Sequence, residues 1–285
     1  MGVDPFLIEG PAVISVSGGR TSGYMLWRIL QAHGGKLPDN VRAMFANTGK
    51  EMPETLDFVQ EMSEQWSVPI TWVEYESRQV PSARWRVVDH ATASRNGEPF
   101  EAVIRSRSFL PNPVSRFCTV ELKVRAMHRY LFAQGWKEWT SAVGIRADEP
   151  RRVAKIGNQD YGKHEERVAP LAQAGIVVAD VGAFWREQPF DLRLPNMNGK
   201  TMHGNCDLCY LKGANQILSL IREQPERAKW WMKMEALALA LASKPSGAVF
   251  RSDRPSYAVM HRMATTQDEM FEYGGEPLQD CMCVD

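Results

Sequence analysis

Apolar and polar positions along the chain change period several times, and each change marks an element. Residues 12–16 form a short apolar, β-branched run that breaks into Ser17-Gly18-Gly19-Arg20-Thr21-Ser22-Gly23. From Tyr24 to Leu30 apolar positions recur at helical spacing, so the pattern predicts strand, glycine loop, helix. Residues 41–46 predict a second strand, which runs into Asn47-Thr48-Gly49-Lys50-Glu51-Met52-Pro53-Glu54-Thr55 and a helix over 56–66 carrying Phe58, Val59, Met62 and Trp66. A third strand over 70–75 follows the Val68-Pro69 break. Val120, Val124, Met127, Tyr130 and Leu131 give one apolar side to a helix over 119–134, and residues 139–145 predict a fourth strand that ends in Gly144-Ile145-Arg146-Ala147-Asp148-Glu149. Strands alternating with helices of this length predict an α/β fold with a doubly wound, mainly parallel sheet.

Two regions depart from that rhythm. Residues 76–113 are polar and poorly periodic, with Arg78, Arg84, Arg86, Arg95, Arg105 and Arg107, and predict a long loop or insertion over one face of the sheet. From Gly182 onward the chain turns to Trp- and Pro-containing turns and two helices, over 214–222 and 225–241. The expected organisation is an α/β body over 1–181 and a C-terminal helical, cysteine-containing segment over 182–285 packed on it. Trp185 is expected to anchor that packing, and Trp230, Trp231, Met232 and Met234 to lie in a core.

Composition narrows the partners. With 285 residues and 44% hydrophobic content the chain is long enough to bury a sizeable core. Lys+Arg and Asp+Glu both count 34, so no global field draws nucleic acid or membrane. A polyanion would have to meet a local patch, and the arginines of residues 78–107, interleaved with Trp85, Phe100 and Phe109, are where the sequence offers one. The first residues lack the basic start of a signal peptide, no run of eighteen apolar residues exists, and the five cysteines include close pairs, which together predict a cytoplasmic protein.

The glycine loop has the context of an anion site. A loop that follows a strand and opens a helix aims backbone N–H groups at a phosphate, with hydroxyls beside them; its alternative is a tight turn that needs glycine. Cys206 and Cys209 form a C-x-x-C pair, suited to a metal centre or a redox dithiol, and Cys281 and Cys283 form a C-x-C pair near the end. His203 precedes Cys206 by three residues and is either a zinc ligand or a surface donor. Arg146, at a strand end, offers bidentate donors to phosphate or sulfate; Arg151 and Arg152 offer the same or pair with Asp148 and Glu149. Lys123 lies about one helical turn from Cys118, within reach of an anion or a thiolate centre.

Five of these segments carry a family resemblance in order, over roughly residues 10–225. Ser17-Gly18-Gly19-Arg20-Thr21-Ser22 resembles the SGGxDS pyrophosphatase loop (PP-loop) of the adenine nucleotide α-hydrolase superfamily. The segment from Asn47 to Thr55 is similar to the DTGxxxPET segment of phosphoadenosine phosphosulfate (PAPS) reductases. Arg116-Phe117-Cys118-Thr119-Val120-Glu121-Leu122-Lys123 resembles the CTxxLK element of phage and bacterial PAPS-reductase-like proteins, and Gly144 to Glu149 and Gly204 to Cys209 fit the same subgroup. Thr21 and Asn47 stand where the family has acids, and the tail Asp280-Cys281-Met282-Cys283-Val284-Asp285 lacks the reductases' ECGLH-type motif.

The resemblance implies that Ser17, Gly18, Gly19, Arg20, Thr21, Ser22, Asn47, Thr48 and Gly49 hold ATP or PAPS, with Mg²⁺ on the phosphates. It implies catalytic roles for Cys118, Lys123 and Arg146. It also implies a 4Fe–4S cluster on Cys118, Cys206 and Cys209 with Cys283 or Cys281 as fourth ligand, zinc being the alternative. The expected activity is that of an ATP pyrophosphatase that adenylates a substrate and transfers sulfur to it, with tRNA or DNA as acceptor and a cysteine desulfurase as donor. The rival activities are reduction of PAPS or adenosine phosphosulfate to sulfite with thioredoxin, and non-catalytic nucleotide or cluster sensing. A homodimer is compatible with each.

Overall fold

In the computed structural model, which describes residues 4–156, 163–197, 199–241 and 245–266, six strands form one sheet. The first half alternates as expected: β1 (Ala12–Val16), α1 (Arg20–Ala32), β2 (Val41–Asn47), α2 (Pro53–Gln65) and β3 (Ile70–Glu74). A short β4 (Arg86–Val88) and α3 (Glu98–Arg107) follow. Next come a π-helix over Thr119–Val124 that continues as α4 (Arg125–Ala133), then β5 (Trp139–Val143), α5 (Pro150–Ile156), β6 (Glu165–Val168), α6 (Pro170–Gln173) and α7 (Val178–Glu187). A two-stranded ribbon, β7 (Asn196–Met197) and β8 (Lys200–Thr201), leads to α8 (Ala214–Glu223), α9 (Ala228–Leu241) and α10 (Tyr257–Thr266).

The sheet order is β4-β3-β2-β1-β5-β6, parallel throughout except for the antiparallel edge strand β4. The chain steps outward from β1 to β3 and later returns to the other side of β1 as β5. The order therefore reverses between β1 and β5, and the loops leaving those neighbours diverge to open a crevice at the carboxyl edge. Ile14, Val16, Phe45, Met25, Phe58 and Trp185 build the core on one face. Val13, Met44, Val73, Ala126, Leu131 and Trp139 build it on the other. A second core joins α3 to the C-terminal helices through Phe100, Leu208, Ile217, Trp231, Phe250 and Tyr257.

Three expectations change. Residues 76–113 are not one loop: they hold β4 and α3, whose buried side rests on Pro99, Phe100, Val103 and Ile104 and whose start at Gly97 is left-handed. β6 is a strand of sequence EERV, hidden because its charges satisfy one another: Arg167 Nε bonds Glu165 Oε1 at 2.9 Å, and His128 Nε2 lies 2.9 Å from Glu165 Oε2. The helix over 119–134 opens as a π-helix, a form that recurs at functional sites, with Cys118 as its N-cap. As expected, Trp231 is fully buried and Trp185 nearly so. Among the described residues no helix is long and apolar enough to cross a membrane.

Candidate functional site

The glycine loop sits at the β1 side of the crevice. Ser22, fully buried, folds it: Ser22 Oγ accepts from Ser17 N at 3.1 Å, donates to Gly19 O at 3.0 Å and lies 2.9 Å from Ser17 Oγ. Gly19 caps α1 without a side-chain partner and the first turn carries no acid, so the amide end of the helix dipole faces the loop uncompensated. Gly18 is left-handed at φ 79°, and a Cβ there would stand 2.4 Å from Thr55 Cγ2. That glycine brings the start of α2 against the loop. Thr55 Oγ1 and Glu54 Oε2 are buried there without a hydrogen-bond partner. Orphaned polar atoms beside two helix N-termini fit a phosphate and its cation better than they fit a closed protein interior.

Two loop side chains face the protein. Arg20 bonds both carboxylate oxygens of Asp191 at 2.7 Å, and also Thr201 Oγ1 and the carbonyl of Leu192. Thr21 Oγ1 accepts from Arg146 at 3.0 Å, and Arg146 also bonds Asp148 Oδ1 at 2.9 Å. The β5 end is thereby tied to the glycine loop across the switch point. Arg152 pairs with Glu149 at 2.6 Å. Lys123 is nearly buried and lines a cavity of about 30 Å³ beneath the loop with Ser15, Ser17, Ser141 and Glu165. Burial opposes the Glu165 charge, but His128 and Arg167 hold its pKa down to about 2.

The β2 end explains why Asn47 is an amide. Its Nδ2 donates to Glu74 Oε1 at 2.5 Å and to Ser94 O at 2.8 Å, while its Oδ1 accepts from Gly49 N at 3.1 Å. Glu74, fully buried, also receives Arg86 at 2.6 and 3.0 Å and Ser94 N at 2.6 Å. An acid at position 47 would set two carboxylates against each other; the amide supplies the donor instead. Glu51 then shapes the loop, accepting from Thr48 N at 2.9 Å and Lys50 N at 3.3 Å.

The cysteine loop is stitched to this one. Asp207 N donates to Lys50 O at 2.8 Å, Glu51 and Cys206 form a β-bridge, and Lys50 Nζ lies 3.0 Å from Asp207 Oδ2, a pair almost wholly buried. Trp231 Nε1 bonds Asp207 Oδ1 at 2.8 Å. This places Cys206 Sγ 3.4 Å from Thr48 Oγ1. Cys118 Sγ lies 3.3 Å from Tyr210 Oη, and Cys209 is buried in the second core. His203 is buried, not on the surface; burial lowers its pKa despite Glu223 3.2 Å away.

Cys118 and Cys206 both pack against the second core, which holds Cys209. Among the described residues no three His, Cys, Asp or Glu side chains are grouped to hold a metal. Cys281 and Cys283 lie outside the described residues. Glu51, Glu54, Thr55, Glu74 and Asp207 had no assigned role in the sequence. The first three lie inside the quoted PET-like segment, where spacing from the glycine loop's partner helix was the available signal.

Comparison with known proteins places these observations. The chain is 32% identical over 214 residues to the uncharacterized nin region protein ORF290 of Escherichia phage lambda, covering 72% of this chain and 67% of that one. Solved structures similar in fold include the PAPS reductase of Candida auris in its phosphate complex (13% identity, TM-score 0.42, 67% of this chain and 82% of that one). They also include the U34-tRNA thiolase NcsA of Methanococcus maripaludis with its [4Fe-4S] cluster (14% identity, TM-score 0.42, 96% and 78%). The family model of the phosphoadenosine phosphosulfate reductase domain matches residues 11–175, which runs from β1 through the glycine loop, the Asn47 segment, Cys118 and Arg146 to the turn after α6. With its sheet reversal and glycine loop arranged around that match, the chain belongs to the phosphoadenosine phosphosulfate reductase domain family.

Proposed function

We propose that this chain is an enzyme that activates a substrate oxygen with ATP at the glycine loop and directs sulfur to the activated centre. The observation that carries the reading is the double engagement of one segment, residues 47–55. Its Thr55 packs on Gly18 of the phosphate loop, and its Thr48 touches the thiol of Cys206. Nucleotide and thiol therefore address one crevice.

Each residue then has a task. Ser17, Ser22 and the N–H groups at the start of α1 hold the pyrophosphate that leaves when the substrate oxygen attacks the α-phosphorus. Glu54, with its orphaned oxygen, would hold Mg²⁺, which supplies charge neutralisation on the phosphates. Arg146 steadies the loop through Thr21. Free sulfide held beside Cys206 attacks the activated carbon, forming the C–S bond as the C–O bond breaks and AMP leaves with the original substrate oxygen. An iron–sulfur cluster, if bound, would be held by Cys118, Cys206 and Cys209, which share the second core, and no step is assigned to it.

The family match favours a second reading, in which a thiolate attacks the sulfur of PAPS and sulfite is released by a further thiol such as that of thioredoxin. One experiment separates the two. Purified protein is assayed for pyrophosphate release from ATP with sulfide and an acceptor, and for sulfite from PAPS with thioredoxin. The first reading expects pyrophosphate, lost in Ser22→Ala; sulfite formation without pyrophosphate release overturns it.

A further inference from the structure

The π-helix that follows Cys118 and brings Lys123 to the cavity beneath the glycine loop also carries a crowd of guanidinium groups. Arg107 and Arg125 bond Glu121 Oε1 at 2.5 and 2.6 Å, and Arg129 bonds Glu121 Oε2 at 3.2 Å. Two more arginines border them. Arg84 bonds the carbonyl of Arg78 and passes its own carbonyl to Arg129, and Arg116 Nε bonds the carbonyl of Pro113, with its NH1 buried and unpartnered. Three guanidinium groups thus hold one carboxylate and two more border the same helix, so the cluster of five arginines and one glutamate carries a surplus of four on a chain whose total charge is zero. Burial works against the Glu121 charge, yet its arginines lower its pKa, so it stays ionised and saturated.

Arg107 and Arg125 remain about half exposed, at 41% and 52%. Arg107 lies over Phe117, against which the part-exposed Phe109 packs edge-on, the part-exposed Trp85 packs edge-on against Tyr130 of α4, and Val120 projects from the π-helix itself. Forked guanidinium groups alternating with ring faces are what a single nucleic-acid strand requires: phosphates on the forks and bases on the rings. An acidic polypeptide would use the charges but not the rings.

We infer that the outer side of the π-helix, with Arg84, Arg107, Arg116, Arg125 and Arg129, binds a single strand of nucleic acid and delivers it past Cys118 to the crevice. The acceptor class this names rests on the sulfur-transfer reading, although the binding itself does not. It keeps Arg84 and Arg107 of the patch expected from sequence and joins them to Arg116, Arg125 and Arg129 around Glu121.

The test is fluorescence anisotropy of the full chain with labelled single-stranded RNA and DNA 20-mers between 50 and 200 mM NaCl. Four net phosphate contacts at about 0.7 each in the salt slope predict that affinity falls about 50-fold across that range. Arg107→Gln/Arg125→Gln should cut the fall to about 7-fold and weaken binding at 50 mM, with ATP affinity by calorimetry unchanged. Each single variant is measured beside the pair, with a melting curve to show folding, and Lys233→Gln, an exposed cation outside the patch, should leave binding as it is. Absence of binding at 50 mM, an unchanged salt slope in the folded variant, or tighter binding of poly-glutamate than of either strand overturns the inference. Strand binding without pyrophosphate release sinks the sulfur-transfer reading alone; pyrophosphate release without strand binding sinks this one alone.

Discussion

Replacing Asn47 with Asp tests the reasoning at the β2 end most sharply. The amide Nδ2 stands 2.5 Å from Glu74 Oε1 with both side chains fully buried, so Asn47→Asp puts two carboxyls in contact. They cannot both ionise there; one must keep a proton. Holding that proton at pH 7 on an acid whose unfolded pKa is about 3.9 costs about 4 kcal/mol, at 1.36 kcal/mol per unit. Arg86, already bonded to Glu74, offsets part of this, and the protonated acid restores one donor while the bond to Ser94 O is lost. The expected loss is about 2–4 kcal/mol at pH 7. Its sign with pH follows from linkage: the shared carboxyl has a folded pKa raised above its unfolded one, so the defect is largest above the folded value and shrinks by about 1.4 kcal/mol per unit as pH falls toward 5. Urea unfolding at pH 5, 6 and 7 measures it, with Asn47→Asp/Glu74→Gln, which returns one acid and one amide to the pair, expected to regain most of the loss. Equal stability of Asn47→Asp and the parent at pH 7, or a defect that does not change with pH, refutes the argument.

Further outcomes follow from other contacts. Gly18→Ala should weaken ATP binding at least tenfold by calorimetry and cost about 2 kcal/mol of stability, because a methyl group at φ 79° meets Thr55 Cγ2 at 2.4 Å. Burial pushes the Glu235 carboxyl up to about 7 against the donors Tyr257 N and Phe250 N and the charge of Arg254. A raised folded pKa binds the proton more tightly in the native state, so stability should fall by about 2 kcal/mol, after discounting for its partial exposure, as pH rises from 4.5 through 7. Glu235→Gln should flatten that slope in urea titrations; an identical slope counts against the assignment. Glu51→Ala, which removes the acceptor of Thr48 N and Lys50 N, should cost at least about 2 kcal/mol and release the cysteine loop, read as faster proteolysis near Cys206.

The parts of the fold legible from sequence were those whose environment leaves an unmixed pattern. β1, β2 and β3 are flanked on both faces, so they read as short apolar runs, and their observed limits differ from the expected ones by a residue or none. β6 escaped because burial of Glu165 and Arg167 as a mutual pair inverts the usual polarity of a strand, and β4 because three residues carry no period. The glycine loop was legible from its strand–turn–helix context. The clamp of Lys50 on Asp207 was not: both residues sit in quoted motifs, but only the folded chain brings positions so distant in sequence within 3.0 Å. The same holds for Asn47, whose departure from the family's acid gains a reason only when Glu74 is seen beneath it.

The central claim is that nucleotide and thiol share one crevice, and the rate at which Cys206 is alkylated by iodoacetamide, followed by peptide mass spectrometry with and without ATP, tests it most directly. The account predicts that saturating ATP slows alkylation of Cys206 at least tenfold, and that Gly18→Ala raises the ATP concentration needed for that protection at least tenfold. Alkylation at the same rate with the nucleotide bound would contradict it.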